Sequence, residues 1–292
     1  AMATFGLARG TRDMTAAERR QRAALVYRVS VERFRKHHER IVIEQVAEEI
    51  LKLCAAQDPV TRPPGFPAEL AAQIRLSGQL GDYSFPVVVH IEPIELLSNI
   101  DILVVPENVY LELPQPFKAS VAAAVRKAAA IRGADGEVVT DVISDELQSW
   151  VHKHGRHGLP VAPGTVVVTS SGDMASQGIS SIYHVAIASP RPGTNDYDVE
   201  PTVIATGVRN VLAAARTARP LAGPPLSSIA FPLLGAGRGG LDPATSFAWL
   251  WASLERDIRD NGPWDIHFVT NRRTLAELIV GKLREAGVIR AQ

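Results

Sequence analysis

The sequence has very little cysteine: Cys54 is the only one among its 292 residues. A single thiol excludes an internal disulfide and a zinc site made of cysteines, and such sparing use of cysteine is typical of the cytoplasm. No apolar run approaches the roughly 18 residues that a membrane-spanning helix needs. No signal peptide follows the N-terminus either, so we expect a cytoplasmic protein.

The sequence also has no net charge, because its 31 Lys and Arg residues equal its 31 Asp and Glu residues in number. A protein that binds nucleic acid through bulk positive charge is therefore not expected. Hydrophobic residues make up 46% of the chain, which is too large a fraction for a neutral chain to remain disordered. The length suits one large domain or two small ones with a real core.

Basic residues are concentrated near the N-terminus, where residues 9–40 contain ten Lys and Arg but four Asp and Glu. Residues 14–53 contain no Gly or Pro, and Thr15 begins the pattern of a helix capping box. We predict one long helix, or two in tandem, ending near Ala56. Residues 1–60 then form a basic helical arm, which is either a solvated helix or a membrane-adjacent or oligomerisation arm.

Prolines and β-branched runs divide the rest of the chain. Four prolines between positions 59 and 67 predict a linker over residues 61–84. Strand and helix patterns then alternate, which predicts an α/β domain over residues 85–292, with three α/β/α layers and a central mixed sheet. The predicted strands cover residues 85–91, 100–105, 164–169, 181–188, 227–234 and 264–270, and the predicted helices cover residues 117–131, 141–153, 201–217, 243–260 and 273–287.

A glycine-rich segment, residues 234–243, connects a predicted strand directly to a predicted helix. Its four glycines leave backbone N–H groups uncovered and permit the positive φ values that turn successive amides toward one point. With the N-terminus of the next helix, such a loop can cradle a phosphate, although a tight turn can also require glycine. The loop fits the dinucleotide fingerprint literally, but too little chain follows for a nicotinamide dehydrogenase.

Four segments, in chain order, resemble the motifs of one family, the macro domain. They are Ile100-Asp-Ile-Leu-Val-Val-Pro-Glu-Asn108, Gly164-Thr-Val-Val-Val-Thr-Ser170, Ile182-Tyr-His-Val185 and Phe231-Pro-Leu-Leu-Gly-Ala-Gly-Arg-Gly-Gly240. The resemblance implies a module that binds ADP-ribose, with its diphosphate on the glycine loop. It also implies that Asn108 contacts a ribose hydroxyl and that Glu92 accepts a hydrogen bond from the adenine amino group. Asn108 as a turn residue and Glu92 as an exposed strand-end residue are the alternatives.

The sequence departs from hydrolytic macro domains in two places. Residues 109–118 contain no glycine, whereas those domains have a glycine run after the asparagine. Gly235 and Ala236 replace a Ser-Thr pair. Water activation at the distal ribose is therefore not expected.

Two segments, Pro106-Glu-Asn-Val-Tyr110 and Pro232 to Gly240, are more similar to the macro-like domains of Thoeris anti-phage effectors. That resemblance implies a sensor of a nucleotide signal made from NAD by a TIR-domain enzyme. Such sensors are often attached to transmembrane helices. The Ala1-Met2 start indicates a shortened chain, so we expect a membrane anchor on the cytoplasmic face in the longer protein.

We therefore predict a protein that binds an NAD-derived nucleotide without catalysis, assembles as a homo-oligomer and uses no cofactor, metal or nucleic acid. An ADP-ribosyl hydrolase that retains Asn108, and a pure assembly module that uses the basic arm, are the alternatives. His152, His154 and His157 are spaced on different faces of a helix, which disfavours a metal site.

The predicted ligand contacts come from two strand ends, the glycine loop and the segment before the helix at 201–217. Tyr197 can stack on a base, and Arg238 can pair with a phosphate in a bidentate manner, although a helix-capping turn and a surface arginine are the alternatives. The full predicted set is Glu92, Glu107, Asn108, Asn195, Tyr197, Asp198, Gly235, Ala236, Gly237, Arg238, Gly239 and Gly240.

Overall fold

A computed structural model of the chain divides into two compact units, Ala1–Pro67 and Ala68–Gln292. Cys54, Asn195, residues 61–71 of the predicted linker and residues 113–119 of the loop after Asn108 lie outside the described residues. The described residues are 2–5, 7–8, 11, 14–40, 42–43, 46–47, 50, 72–112, 120–133, 137–194, 196–218 and 226–290.

The first unit contains tandem helices rather than one long helix. Helix α1 spans Ala16–Val26 and begins with the predicted capping box, in which the Thr15 side chain accepts from the Glu18 N–H. The chain turns at Arg28, whose φ is 53°. Ser30 then caps a second helical segment, which is α-helical over Val31–Arg33 and π-helical over Phe34–His38. Ala23, Ala24 and Phe34 form its small buried cluster. None of the helices in the described part of the chain is both long and apolar enough to cross a membrane.

The second unit has the predicted α/β/α layers, and the six predicted strands and five predicted helices begin and end within a few residues of observed ones. The helices are α2 (Val121–Ala129), α3 (Val142–Lys153), α4 (Pro201–Thr217), α5 (Pro243–Asn261) and α6 (Arg273–Glu285). The strands are β1 (Ala72–Leu80), β2 (Tyr83–Ile91), β3 (Ile100–Asn108), β4 (Ile131–Arg132), β5 (Val138–Thr140), β6 (Val166–Ser170), β7 (Ile179–Pro190), β8 (Tyr197–Asp198), β9 (Ser228–Pro232), β10 (Asp265–Thr270) and β11 (Ile289–Arg290).

One prediction fails at the start of this unit. Residues 72–84 were predicted to be linker, but they form β1 and the turn into β2. Strand β1 pairs with β2 along its whole length, from Ala72 opposite Ile91 to Leu80 opposite Tyr83. Its polar, weakly β-forming sequence gives little local signal, and pairing with a buried neighbour stabilises it instead.

The main sheet has the strand order β11-β1-β2-β10-β9-β3-β7-β6. The five strands from β2 to β7 in this order are parallel, while β1, β11 and β6 are antiparallel to their neighbours. The carboxyl ends of the five parallel strands therefore lie at one edge, where ligand clefts form in such sheets.

Two apolar cores cover the two faces of the sheet. Ile102 and Val104 of β3 belong to the core that includes α4, α5 and α6. Leu103 and Val105 belong to the core that includes α2 and α3. Alternate residues of one strand thus face opposite helical layers, which is why the strand sequences are continuously hydrophobic.

Candidate functional site

A cleft of about 160 Å³ lies at the carboxyl edge of the sheet. It is bounded by the end of β3, the end of β7, the start of α2, the segment that begins at β8 and the glycine loop after β9. Its lining residues are Pro106, Glu107, Asn108, Glu112, Ser120, Val121, Ala122, Ile187, Ala188, Tyr197, Val199, Leu233, Gly235, Gly237, Arg238 and Gly239. The cleft thus joins segments that are distant in sequence.

The conformation of the glycine loop requires glycine at position 235 and leaves no room for a side chain at position 239. Gly235 has a φ of 77°, and a Cβ at that position falls 2.8 Å from a methyl carbon of Val199. A Cβ on Gly239 falls 2.6 Å from the other methyl carbon of Val199. At Gly237 a Cβ meets nothing within 4 Å. The loop is therefore packed tightly on Val199 at two points and open at Gly237.

The backbone N–H groups of this loop are largely unused. No described residue accepts a hydrogen bond from the N–H groups of residues 235–239. The Gly240 N–H donates to the Gly237 carbonyl at 3.1 Å, and the Leu241 N–H donates to the Gly235 carbonyl at 3.2 Å. A run of N–H groups without a described acceptor, beside an open cleft, is a feature of backbone sites that bind anions.

The start of α2 lines the opposite side of the cleft. Ser120 is the N-cap residue, and its side chain accepts from the Ala123 N–H at 3.2 Å. The positive end of the helix dipole therefore adds to the positive potential of the cleft. Sequence analysis missed this contribution because it began the helix at residue 117, although a serine before an alanine-rich run was a usable N-cap signal.

Asn108 shapes the turn at the end of β3. Its Nδ2 donates to the Glu112 carbonyl at 2.8 Å, and its Oδ1 accepts from the Tyr110 N–H at 2.8 Å. The pairing register between β3 and β7 shifts between Glu107 and Asn108, which marks a β-bulge at the cleft. Asn108 lines the cleft, but its amide atoms are engaged by the turn.

Glu107 has a buried carboxylate rather than one that is free to meet a ligand. Its Oε1 lies 3.0 Å from Nδ1 of His184, and the side chains of both residues are 1% exposed. Burial raises the pKa of the Glu107 carboxyl above its ordinary value, and the hydrogen bond and charge of His184 offset this only in part. Glu107 lines the cleft while its carboxylate is engaged by His184, and its predicted contact with a ligand stays a prediction.

Glu92 is not among the residues that line the cleft, and it is buried rather than exposed at the strand end. Its Oε1 lies 3.0 Å from Nδ1 of His90, and Nε2 of His90 lies 2.8 Å from Nδ1 of His267. The carboxylate thus faces a buried histidine pair, which an individual strand pattern does not reveal.

Tyr197 and Arg238 lie together in the cleft. The guanidinium carbon of Arg238 is 5.2 Å from the centroid of the Tyr197 ring. Asp198 instead points to Arg191, with its Oδ1 3.1 Å from Nε, and this pair lowers the pKa of Asp198. Asp198, Ala236 and Gly240 are not among the lining residues.

The three histidines predicted not to bind metal lie at and after the end of α3. The ring of His154 stacks on that of Trp150 with centroids 4.0 Å apart. Within the described residues, no group of three or more His, Cys, Asp or Glu side chains is arranged to hold a metal ion.

The chain has a mixed sheet between two helical layers and a glycine-rich cleft at the carboxyl edge of that sheet, an arrangement that it shares with a known family. The family model of the Macro domain matches residues 123–249. The predicted resemblance to the macro domain is thereby confirmed, while the closer likeness to Thoeris effectors stays a prediction. No curated protein matches the chain.

Solved structures agree with this assignment. The macrodomain of Oceanobacillus iheyensis with MES bound is 19% identical with a TM-score of 0.55, and the alignment covers 74% of this chain and 98% of that chain. A mutant of the same macrodomain with ADPR is 18% identical with a TM-score of 0.54, covering 74% and 98% of the two chains. The macrodomain with ADP is 16% identical with a TM-score of 0.54, covering 74% and 97%. At these identities the likeness shows the fold.

Proposed function

We propose that this protein binds an NAD-derived nucleotide, an ADP-ribose-like or adenine dinucleotide compound, as a signal in an anti-phage defence effector. The observation that carries the proposal is the run of five free N–H groups at residues 235–239 beside the cleft. A diphosphate is the ligand group that such a concave set of donors suits, because its several oxygens accept simultaneously.

The charges around the cleft favour the same ligand. Arg238 brings a guanidinium to the glycine loop, and the first turn of α2 brings the positive end of a helix dipole to the facing side. Apolar contacts for the nucleoside come from Val199, Ile187 and Leu233. The Oceanobacillus macrodomains solved with ADPR and with ADP have the same fold, which supports this class of ligand.

We propose binding rather than turnover. Both amide atoms of Asn108 are engaged in the turn with Tyr110 and Glu112, which leaves this side chain poorly placed to orient a reacting ribose or water. The segment that follows lacks the glycines that let a backbone approach the distal ribose. The role in defence is supported by the similarity of Pro106–Tyr110 and Pro232–Gly240 to Thoeris effectors.

Calorimetry tests the proposal most directly. We expect ADP-ribose, or a nucleotide produced from NAD by a TIR-domain enzyme, to bind the wild-type chain. Gly237→Leu should abolish binding, because the new side chain grows into the cleft from a position where a Cβ meets nothing. Gly281→Leu, at a site in α6 with equally open space, is the matched control and should bind as the wild type does. Failure of every such nucleotide to bind would overturn the proposal.

A second experiment addresses signalling. If the bound nucleotide is a signal, its addition should change the mass of the particle measured by light scattering, because we propose ligand-triggered assembly into a homo-oligomer. The change should be absent in Gly237→Leu. Binding without any change in mass would remove the assembly step from the proposal and leave the binding function intact.

A further inference from the structure

The guanidinium of Arg238 lies over the face of the Tyr197 ring, at 5.2 Å from the centroid. Both residues line the cleft. Arg238 is exposed, and the Tyr197 ring is the contact that the structure gives for its guanidinium among the described residues. The aromatic face therefore favours this position of the cation.

The two segments that carry these residues are held against each other. Tyr197 lies in β8, where it pairs with Pro190 of β7. The adjacent Val199 fills the space beside Gly235 and Gly239, so that the glycine loop rests on the segment after β8. Tyr197 thus has a defined position relative to the loop, even though the loop carries few hydrogen bonds of its own.

A cation held by an aromatic face differs in one respect from a cation held by a carboxylate. A guanidinium can stack with its flat face on an aromatic ring. Its N–H donors lie in the plane and point outward at the edge, so they stay available for a bidentate contact with a phosphate. A carboxylate partner would occupy those same donors and cancel the charge.

We propose that Tyr197 is a positioning residue that holds Arg238 as a preformed clamp for the diphosphate of the ligand. The inference rests on the proposed function and adds a specificity determinant to it. It also differs from the expectation that Tyr197 stacks directly on a base, because in a preformed clamp the ring acts on the ligand only through Arg238.

A double-mutant cycle separates these two roles. ADP-ribose and adenosine are titrated by calorimetry into the wild type, Tyr197→Leu, Arg238→Gln and the double variant. We expect Tyr197→Leu to weaken ADP-ribose binding roughly fivefold, in the range of a partly exposed cation–π contact. In the Arg238→Gln background the same change should have no further effect. Adenosine binding should not respond to either change.

Two further variants are the controls. Tyr197→Phe retains the ring and should bind ADP-ribose as the wild type does. Arg209→Gln removes one positive charge from the exposed face of α4, outside the cleft, and should leave affinity unchanged. Since Tyr197→Leu alters β8, thermal unfolding of each variant is recorded; Arg238→Gln does not touch β8 and must weaken binding at least as much.

The outcomes are distinct. An effect of Tyr197→Leu that persists in the Arg238→Gln background, or one that extends to adenosine, would show direct contact with the ligand and overturn the inference. If no nucleotide binds the wild type, the proposed function fails, and the same cycle is then run with inorganic pyrophosphate. Absence of pyrophosphate binding would overturn the clamp as well.

Discussion

Nδ1 of His184 lies 3.0 Å from Oε1 of Glu107, and Nε2 of the same imidazole lies 3.1 Å from Oγ1 of Thr169. This buried chain of contacts crosses from β3 through β7 to β6, and Glu107 at one end of it also lines the cleft. It ties down the end of β3 at the point where the β-bulge redirects the chain toward Asn108. Glu107 is thus anchored by a buried polar network at the end of the strand that leads into the Asn108 turn.

The network predicts different outcomes for two substitutions of Glu107. Burial raises the pKa of its carboxyl, so the neutral form is more favoured than in water. Glu107→Gln supplies a neutral side chain of the same shape, whose N–H can donate to His184, and should change the free energy of unfolding by about 1 kcal/mol or less. Glu107→Ala leaves His184 buried without this partner and should cost about 2–4 kcal/mol. Urea unfolding measures both, and equal losses for the two variants would contradict this account.

The hydrogen bonds of Asp101 predict how the free energy of unfolding changes in acid. At the opposite edge of the sheet it joins β3 to β9, accepting hydrogen bonds from the N–H and Oγ of both Ser227 and Ser228. Partial burial alone would raise the pKa of Asp101, but these hydrogen bonds outweigh it and lower the pKa below its ordinary value. Its stabilisation is therefore complete above the unfolded-state pKa, near pH 4, and is lost as the pH falls through the lower folded-state pKa.

Asp101→Asn tests this dependence. The variant should be less stable than the wild type by about 1 kcal/mol at pH 7, and the difference should shrink as the pH falls below about 4. Denaturant unfolding between pH 7 and pH 3 measures it. Since Asp101 lies at the edge away from the cleft, nucleotide affinity at pH 7 should be unchanged. If the stability difference between the wild type and Asp101→Asn instead grew as the pH fell, the pKa of Asp101 would not be lowered by folding.

The geometry of the glycine loop predicts that substitutions of Gly235 and of Gly237 have different effects on the stability of the chain. Gly235→Ala places a Cβ 2.8 Å from Val199 in a residue with a φ of 77°, so it should lower the free energy of unfolding by about 1–3 kcal/mol. Gly237→Ala meets open space and should change stability by less than about 0.5 kcal/mol. Thermal and urea unfolding compare the two, and a large loss at Gly237 would contradict the loop geometry.

Substitutions of Asn108 distinguish a residue that only shapes the turn from a residue that takes part in catalysis. Asn108→Ala removes the bonds to Tyr110 and Glu112 and should destabilise the chain by about 1 kcal/mol. Asn108→Asp keeps the acceptor for the Tyr110 N–H but loses the donor to Glu112. Its stability should therefore lie between that of the wild type and that of Asn108→Ala. An assay with an ADP-ribosylated protein is the complementary measurement. Turnover by the wild type that disappears in Asn108→Ala would favour the hydrolase instead.

Much of the fold could be predicted from the sequence because its signals are local. The β-branched runs predicted β6, β7 and β9 closely, and the helix over residues 201–217 was predicted with the bounds that the structure has. The capping box at Thr15 and the strand–glycine loop–helix order were equally readable. Strand β1 was missed because its stability comes from pairing with β2, and the tandem helices of the first unit were distinguishable from one long helix only by the turn at Arg28.

The candidate site was predictable only in part. Asn108 was identified through the resemblance to the macro domain, whereas Tyr197 and the glycine loop were identified because each lies between a predicted strand and a predicted helix. Which predicted side chains are free to meet a ligand depends on their neighbours. Glu92 faces His90, Asp198 faces Arg191, and Glu107 faces His184. None of these partners is implied by the pattern around the carboxylate itself.

The sequence by itself determined the layered α/β architecture and the presence of a loop with exposed backbone donors, because hydrophobic period and glycine content act over a few residues. The tertiary structure alone decided the composition of the cleft. Placing β9 beside β3, and β3 beside β7, brings the glycine loop, the Asn108 turn and Tyr197 to one cavity. It also places two strands, β10 and β9, between β2 and β3, and Glu92 after β2 faces a buried histidine. Such long-range pairings are set by burial and packing across the whole sheet, which short-range sequence patterns do not encode.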